Sequence, residues 1–125
     1  MTRVALVEDN PDNRLLARAI LDDLCEVDEY ETGAEALAGL RRSPVSLVLL
    51  DISLPGMDGT EVLRHIRDDE TLRALPVIAL TAHAMAGDRE RFLGMGFDAY
   101  VTKPIVDEQI LLAEIRRLLN GTDAS

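Results

Sequence analysis

The chain is poor in cysteine and in aromatic residues, and each shortage excludes something. Its single cysteine, Cys25, excludes an internal disulfide and suits a reducing cytosol, where we expect the thiol only to pack or to fill surface. Aromatic residues make up 3% of the chain and tryptophan is absent. A hydrophobic core must therefore be built from Leu, Val, Ile and Ala.

Positive charge is also scarce. The chain has 13 Lys and Arg against 23 Asp and Glu, a formal net charge of −10. Phosphate-binding surfaces need clustered Lys and Arg, so nucleic acid and anionic membrane are disfavoured as direct partners. The balance instead suits a soluble protein that concentrates cations.

Long hydrophobic runs are missing too. No apolar stretch approaches the ~20 residues that a membrane-spanning helix needs. The first residues, MTRVALVED, enter a strand pattern at once and lack the organisation of a signal peptide. We therefore expect a cytoplasmic protein whose 125 residues form one domain, over residues 1–121, with a short tail at 122–125.

Short apolar runs typical of buried strands alternate with helical patterns five times along the chain. Their positions predict strands at residues 4–7, 25–30, 46–50, 76–80 and 99–102. This alternation predicts an α/β fold: a doubly wound, five-stranded parallel sheet with helices on both faces and right-handed crossovers.

Capping signals indicate where several helices begin. Asn10 followed by Pro11 is typical of an N-cap and a first helical residue, and 32–35 and 58–61 have capping-box form. The first helix is predicted to bury a stripe of Leu16, Ile20 and Leu24, with Ala17 and Leu21 alongside. A less regular helix that ends at glycine is predicted over 84–96. A last helix is predicted from near Asp107 to Asn120-Gly121, with Leu111, Ile115, Leu118 and Leu119 inward.

Polar residues follow the predicted strands where ligands of an open α/β sheet bind, beyond the carboxyl ends. They are Glu8 and Asp9 after the first strand, Asp51 after the third, Thr81 after the fourth, and Lys103-Pro104 after the fifth. Taken singly, each has an ordinary interpretation: a loop acid that caps a helix, a strand that runs out into solvent at Asp51, a structural threonine or a surface lysine. Their convergence on one edge favours a site.

Three carboxylates at one edge would repel one another by about 4 kcal/mol per close pair at an effective dielectric near 20. A cation would relieve this, and a small oxygen site that retains water suits Mg²⁺. Lys103 alone supplies too little positive charge. A site with Mg²⁺, a lysine and a hydroxyl around one carboxylate is suited to phosphoryl transfer, with Asp51 as the nucleophile that forms an acyl phosphate.

Four motifs carry a resemblance to a known family: VEDN (7–10), LLDISLPGMDG (49–59), ALTAHA (79–84) and YVTKP (100–104). In this order they resemble the receiver domain of two-component response regulators over residues 3–120. The stretch TAHAMAGDRERFLGMGFDAYVTKPI further resembles single-domain receivers of the DivK type and receivers attached to hybrid histidine kinases.

The resemblance implies a role for each site residue. Asp51 accepts phosphate from a phosphohistidine on a histidine kinase or a phosphotransfer protein. Asp9 and Asp51 ligate Mg²⁺ directly, Glu8 does so through water, and the backbone carbonyl of Ser53 is a further ligand. Lys103 pairs with a phosphoryl oxygen. The resemblance also implies a cis Lys103–Pro104 bond and the strand order 2-1-3-4-5.

The resemblance implies a switch as well. Thr81 moves to hydrogen-bond the phosphoryl group, and Tyr100 swings inward, which changes the surface of the fourth helix, fifth strand and fifth helix. One or two charge-assisted hydrogen bonds, ~1.5–3 kcal/mol each, would shift the equilibrium between two states far enough for a switch without a large rearrangement. Ser53 and His83 occupy the positions that tune phosphoryl lifetime.

The resemblance also implies that the face from the fourth to the fifth helix can form a dimer. Met85, Phe92 and Met95 could contribute to that face or lie in the core, and helical spacing favours the core for Phe92.

Three alternatives remain to be weighed. A phosphatase of the haloacid dehalogenase type needs a second aspartate as general acid where this chain has Ser53. A flavin or dinucleotide carrier needs a glycine-rich phosphate loop, whereas EDNPDN has two acids and no glycine. A receiver that binds partners without phosphorylation would lack a key residue, and none is missing.

Overall fold

The computed structural model describes residues 2–82, 85–103 and 108–120, except for the side chain of Asn120. Strands and helices alternate along the chain as the sequence predicts. The strands are β1 (Thr2–Val7), β2 (Cys25–Tyr30), β3 (Leu47–Asp51), β4 (Val77–Thr81) and β5 (Ala99–Thr102). The helices are α1 (Pro11–Leu21), α2 (Gly33–Arg42), α3 (Gly59–Asp68), α4 (Asp88–Met95) and α5 (Glu108–Asn120).

The strands form one parallel sheet in the order β2-β1-β3-β4-β5. This order confirms the predicted doubly wound topology. Since all strands run the same way, the end of β1 lies beside the end of β3, with Val7 paired to Leu50, and Asp51 pairs with Leu80 of β4. The carboxyl ends of the three central strands therefore meet at one edge.

Each face of the sheet packs against its own helices. One core contains alternate residues of the central strands together with α2, α3 and Phe92 of α4. The other contains the intervening strand residues together with α1 and α5. Residues 47–51 of β3 are all buried, as expected for a strand that is covered on both faces.

The predicted stripe on α1 is only partly right. The structure buries Ala17 and Leu21 completely, whereas Leu16 is 38% exposed and Leu24 is 46% exposed. Leu24 lies beyond the helix, which ends at Leu21. A spacing of four residues identifies a helical face but does not decide which of two adjacent apolar faces meets the sheet.

Most other helix predictions are confirmed, except for the start of the fourth helix. The Asn10 side chain accepts hydrogen bonds from the backbone N–H groups of Asp12 and Asn13, and Thr32 and Asp58 cap α2 and α3 in the same way. Helix α4 is followed by Gly96 in the left-handed conformation, as predicted, but it begins only at Asp88, so the predicted span of 84–96 starts too early. In α5, Leu111 and Ile115 are buried, while Leu118 and Leu119 pack at the edge of the core. None of the helices in the described part of the chain is long and apolar enough to cross a bilayer.

Candidate functional site

Asp51 is the last residue of β3 and is 1% exposed, so the interpretation that the strand runs out into solvent is wrong. Its Oδ1 accepts a hydrogen bond of 3.0 Å from the backbone N–H of Ser53, in the loop that follows. The backbone N–H of Ile52 donates to the carbonyl of Leu80 at 3.0 Å, which ties the start of that loop to β4. The strand end therefore holds its carboxylate inside the protein.

Glu8, directly after β1, is also 1% exposed. Its backbone N–H donates to the carbonyl of Tyr30 at 3.0 Å, so pairing with β2 continues to this residue. Its carboxylate accepts hydrogen bonds from the backbone N–H of Asn10 at 3.1 Å and from Nζ of Lys103 at 2.8 Å. Burial raises the pKa of Glu8, and the hydrogen bond from Lys103 opposes this effect.

Lys103 joins the two buried acids. Its Nζ lies 2.8 Å from Oε1 of Glu8 and 3.1 Å from Oδ2 of Asp51, and its side chain is 9% exposed. Its backbone N–H donates to the carbonyl of Thr81 at 2.7 Å, which fixes the end of β5 beside the end of β4. Burial alone would lower the pKa of Lys103, but the hydrogen bonds to Glu8 and Asp51 outweigh it and raise this pKa.

Glu8, Asp9 and Asp51 can bring one carboxylate oxygen each within 4.8 Å of one another. Three negative charges and one lysine leave a balance of −2, which a divalent cation would neutralise. The donors are all oxygens, and Asp9 is exposed, so water can complete the coordination. These residues fit Mg²⁺, a hard cation that keeps several waters in protein sites.

Gly59, the first residue of α3, lies against the backbone of Asp51, a contact that sequence reasoning missed. A Cβ placed on Gly59 would lie 2.4 Å from the carbonyl oxygen of Asp51 and 2.7 Å from Cα of Ile52. The backbone N–H of Gly59 donates to the carbonyl of Ile52 at 2.9 Å. The loop after Asp51 therefore closes tightly on the strand end, which only a residue without a side chain permits.

Arg14 is a second residue that sequence reasoning missed. It lies in the first turns of α1, and its Nη1 donates to the backbone carbonyls of Glu8 at 2.8 Å and Asp9 at 3.1 Å. Arg14 follows these acids by five or six residues. That spacing alone does not distinguish it from a solvated arginine, so the sequence could not predict this contact.

The structure also describes three further predicted residues, Thr81, Ser53 and Tyr100. Thr81 is buried at the end of β4, and Ser53 is exposed beside Asp51. Tyr100 is partly buried and stacks on Phe92 with ring centroids 5.8 Å apart. His83 and Pro104 lie outside the described residues, so the lifetime role of His83 and the cis Lys103–Pro104 bond stay predictions.

Phe92 belongs to the core, as its helical spacing predicts, and is 3% exposed. The two methionines considered beside it are exposed, Met85 at 72% and Met95 at 47%. Tyr100 therefore rests on a buried ring of α4. The exposed face of that helix carries Arg89, Glu90 and Arg91 as well as Met95, and Met85 lies before the helix begins. Burial raises the pKa of the Tyr100 hydroxyl.

The parallel sheet of this order carries an acidic cluster and a lysine at its carboxyl edge, an arrangement that suits a divalent cation. The family model described as the response regulator receiver domain matches residues 4–116. The chain therefore belongs to the response regulator receiver family. The resemblance noted in the sequence is confirmed, and membership indicates a signalling domain of two-component systems rather than a classical enzyme.

Relatives of two kinds support this assignment. The chain is 48% identical over 107 residues to the polar-differentiation response regulator DivK of Brucella ovis, a match that covers 82% of this chain and 84% of DivK. It is 42% identical over 112 residues to the sensor protein GacS of Pseudomonas syringae, which covers 86% of this chain and 12% of GacS. The chain thus spans only a small part of GacS.

Solved structures agree with the fold. The receiver domain of a sensor histidine kinase from Pseudomonas aeruginosa PAO1 matches with a TM-score of 0.86 and 36% identity, over 95% of this chain and 98% of that one. That crystal structure has a magnesium ion coordinated in the active site cleft. The chemotaxis protein CheY4 of Vibrio cholerae matches with a TM-score of 0.86 and 25% identity, over 95% of this chain and 99% of that one.

Proposed function

We propose that this receiver accepts a phosphoryl group on Asp51 from a phosphohistidine and thereby switches a protein-binding surface. The observation that carries the proposal is the burial of Asp51 beside a second buried carboxylate, with one lysine between them. A fold gains no stability from such an excess of buried negative charge, so the cluster is a candidate for function.

We assign Mg²⁺ to the acidic cluster. Asp9 and Asp51 would ligate it directly, Glu8 through water, and the backbone carbonyl of Ser53 would be a further ligand. The match between the charge balance of −2 and a divalent ion supports this assignment, as does the magnesium in the Pseudomonas receiver. When bound, Mg²⁺ would offset the negative charge of the phosphoryl oxygens during transfer.

The chain's own residues supply the acceptor and its partners. A carboxylate oxygen of Asp51 forms the new bond to phosphorus while the P–N bond to the donor histidine breaks. The imidazole leaves with the electron pair of that bond and takes up a proton. Lys103 exchanges part of its present pairing with Asp51 for a phosphoryl oxygen, and Thr81 donates its hydroxyl proton to another.

The switch in this proposal connects Thr81 to Tyr100. Thr81 pairs with Thr102 across β4 and β5, two residues after Tyr100 on the edge strand. Thr81 and the loop after it would move towards the phosphoryl group. This movement would allow the Tyr100 ring to turn inward. The surface of α4, β5 and α5 then changes, and we assign output partners and any homodimer to this face.

The partners follow from the relatives. GacS and the histidine-protein kinase BarA carry matching segments, which supports a histidine kinase or phosphotransfer protein as the donor. DivK, matched over 84% of its length, is a response regulator, which supports a response regulator role for this chain. We place the chain in the cytoplasm, keep residues 1–121 as the receiver and 122–125 as a tail, and keep Ser53 and His83 as positions that tune phosphoryl lifetime.

The test is intact mass after incubation with acetyl phosphate, with and without Mg²⁺. The wild type should gain one phosphoryl group in the presence of Mg²⁺ only. Asp51→Asn should gain none, because the amide is not a nucleophile for phosphorus. Asp12→Asn, which changes an exposed acid of α1 outside the cluster, should behave as the wild type.

Beryllofluoride, a stable mimic of the phosphoryl group, separates fast hydrolysis from absence of reaction. If the protein gains no mass but the spectroscopic signals of Tyr100 change with beryllofluoride, the protein hydrolyses its phosphate quickly. A folded protein that responds to neither reagent would contradict the proposal. It would then be a receiver that binds partners without phosphorylation.

A further inference from the structure

Arg14 contacts the backbone of the loop that carries two of the three clustered acids. Its Nη1 donates to the carbonyl oxygens of both Glu8 and Asp9, at 2.8 and 3.1 Å. Its side chain is only 16% exposed, and the bond to Glu8 is partly buried, whereas the bond to Asp9 lies at the surface. A single donor group thus bridges two consecutive peptide units.

The other nitrogens of Arg14 face β2 and the residue that follows it. Nε lies 3.4 Å from Oε1 of Glu29, and Nη2 lies 3.5 Å from Oε1 of Glu31. The guanidinium is planar and rigid, so its partners on one side orient the donor on the other. Arg14 therefore connects the acidic loop to β2 through one rigid group.

This connection bears on Asp9 more than on Glu8. The Glu8 carboxylate is buried and held by Asn10 and Lys103, which fix it independently of Arg14. Asp9 is exposed, so the backbone to which it is attached largely decides where its carboxylate lies. The carbonyl that Arg14 binds belongs to that same backbone.

We infer that Arg14 is a positioning residue for the cation site: it holds the Glu8–Asp9 backbone so that the Asp9 carboxylate faces Asp51. The inference rests on the proposed function, because it takes Mg²⁺ as the ligand of the cluster. Partners that orient metal ligands from outside the coordination sphere typically affect metal affinity by about 10-fold to 100-fold.

A purely electrostatic role for Arg14 predicts the opposite sign. A positive charge near the cluster repels a cation, so removing it would tighten Mg²⁺ binding. A positioning role predicts weaker binding when the guanidinium is lost. Arg14→Lys is the sharper variant, because it keeps the charge and loses the rigid, multiply bonded fork.

Arg18 provides the matched control. It lies one turn further along α1, is 51% exposed, and pairs with Glu29 as well, but its other ion pair is with Asp22, away from the acidic loop. Arg18→Ala therefore removes the same charge from the same helix and disturbs the same partner. It leaves the Glu8 and Asp9 carbonyls bonded.

The experiment measures Mg²⁺ affinity from the rise of the thermal unfolding midpoint with MgCl₂, at constant ionic strength. The midpoint in the absence of metal is recorded separately for each variant, which separates stability from affinity. We expect affinity to fall about 10-fold in Arg14→Ala, and by a smaller factor in Arg14→Lys. Arg18→Ala should bind as the wild type or slightly more tightly.

Wild-type affinity or tighter binding in a folded Arg14→Ala protein overturns the inference, and so does an equal loss in Arg18→Ala. If Arg14→Ala does not fold, Arg14→Lys decides alone: unchanged affinity overturns the inference and reduced affinity supports it. A wild type that does not bind Mg²⁺ would instead refute the proposed function, on which the inference depends.

Discussion

Asp51 and Glu8 are buried together and share one lysine, which leaves the metal-free protein with uncompensated negative charge. Pairing with Lys103 relieves part of the repulsion, and Mg²⁺ would relieve the rest. The arrangement therefore lowers stability at the residues to which we assign the cation. Replacing Asp51 should reveal this cost.

We predict that Asp51→Asn raises the free energy of unfolding by about 1 kcal/mol in metal-free buffer, or the midpoint by about 4 °C. The amide fills the same volume and removes one charge, while the Lys103–Glu8 pair remains. Urea unfolding with EDTA measures the change, and saturating MgCl₂ should reverse the order of the two proteins. A less stable Asp51→Asn in metal-free buffer would contradict the idea of repulsion in the cluster.

Gly59 offers a steric prediction. Gly59→Ala places a Cβ 2.4 Å from the carbonyl oxygen of Asp51, and neither backbone can yield easily. We expect Gly59→Ala to lower the free energy of unfolding by about 1–3 kcal/mol. Gly94→Ala is the control, because a Cβ at that position of α4 meets no atom within 4 Å. It should stabilise the protein by about 0.5–1 kcal/mol through helix propensity, and equal effects of the two variants would disprove the steric argument.

Residues of the candidate site differed in how far the sequence could predict them. Five residues were predictable because each lies at or just beyond the end of a strand, and parallel strands end at one edge: Glu8, Asp9, Asp51, Thr81 and Lys103. Gly59 and Arg14 were not, because their roles depend on close approaches between segments that only packing decides. Leu16 and Leu24 were assigned to the core from periodicity, which does not indicate where the helix ends.

At the scale of elements, α3 is held at its C-terminal end by the residue that follows it. Asp69 accepts hydrogen bonds from the hydroxyl of Thr71 at 2.7 Å, from the backbone N–H of Thr71 at 2.8 Å and from Nε of Arg41 at 3.0 Å. These bonds, the hydroxyl first, lower the pKa of Asp69 to about 2. The carboxylate thus links α2 to the end of α3 only while it is ionised.

This gives a pH prediction for Asp69→Asn. A carboxyl group whose pKa is lower in the folded chain than its unfolded value of ~3.9 stabilises the fold above that pH and loses the effect as the pH falls. The wild type should therefore be more stable than Asp69→Asn at pH 7, and the gap should close as pH falls from about 4 towards about 2. Urea midpoints across this range measure it.

Thr71→Ala serves as the comparison for that series. It removes the hydroxyl bond but leaves the Arg41 ion pair, so its stability gap should have the same sign and depend less strongly on pH than that of Asp69→Asn. A gap for Asp69→Asn that stays constant down to pH 2 would show that lost packing, and not ionisation, causes the effect.

Helix α4 is attached differently from α1, α2 and α3. A left-handed glycine lies at each end, Gly87 with φ of 86° and Gly96 with φ of 116°, and the N-cap makes no side-chain hydrogen bond. The C-terminal end is anchored instead by Arg67 of α3, whose Nε and Nη2 donate to the carbonyl of Gly96 at 3.2 and 2.7 Å.

At the scale of the molecule, the net charge of −10 favours cations in general as well as at the cluster. We predict that NaCl raises the unfolding midpoint gradually through screening, whereas MgCl₂ at equal ionic strength adds an excess that grows with the logarithm of concentration. The excess corresponds to about 2.7 kcal/mol at a hundred times the dissociation constant. Thermal unfolding in the two salts measures it.

Asp9→Asn should remove most of that excess and leave the response to NaCl unchanged. Asp68→Asn removes the same charge from the exposed surface of α3 and should keep the excess. If both variants retain it, Mg²⁺ acts on the general charge of the surface and not on the cluster.

The closest ion pair of the site joins residues that are 95 positions apart, since Lys103 binds Glu8. Acids from the first and third strands and an amine from the end of the fifth have to meet before the site exists. On a ribosome, the first two acids emerge long before the lysine, and they stay unpaired until nearly the whole sheet has left the exit tunnel and closed. A truncated or misfolded copy would therefore not signal, because it could not assemble the site that we propose accepts the phosphoryl group.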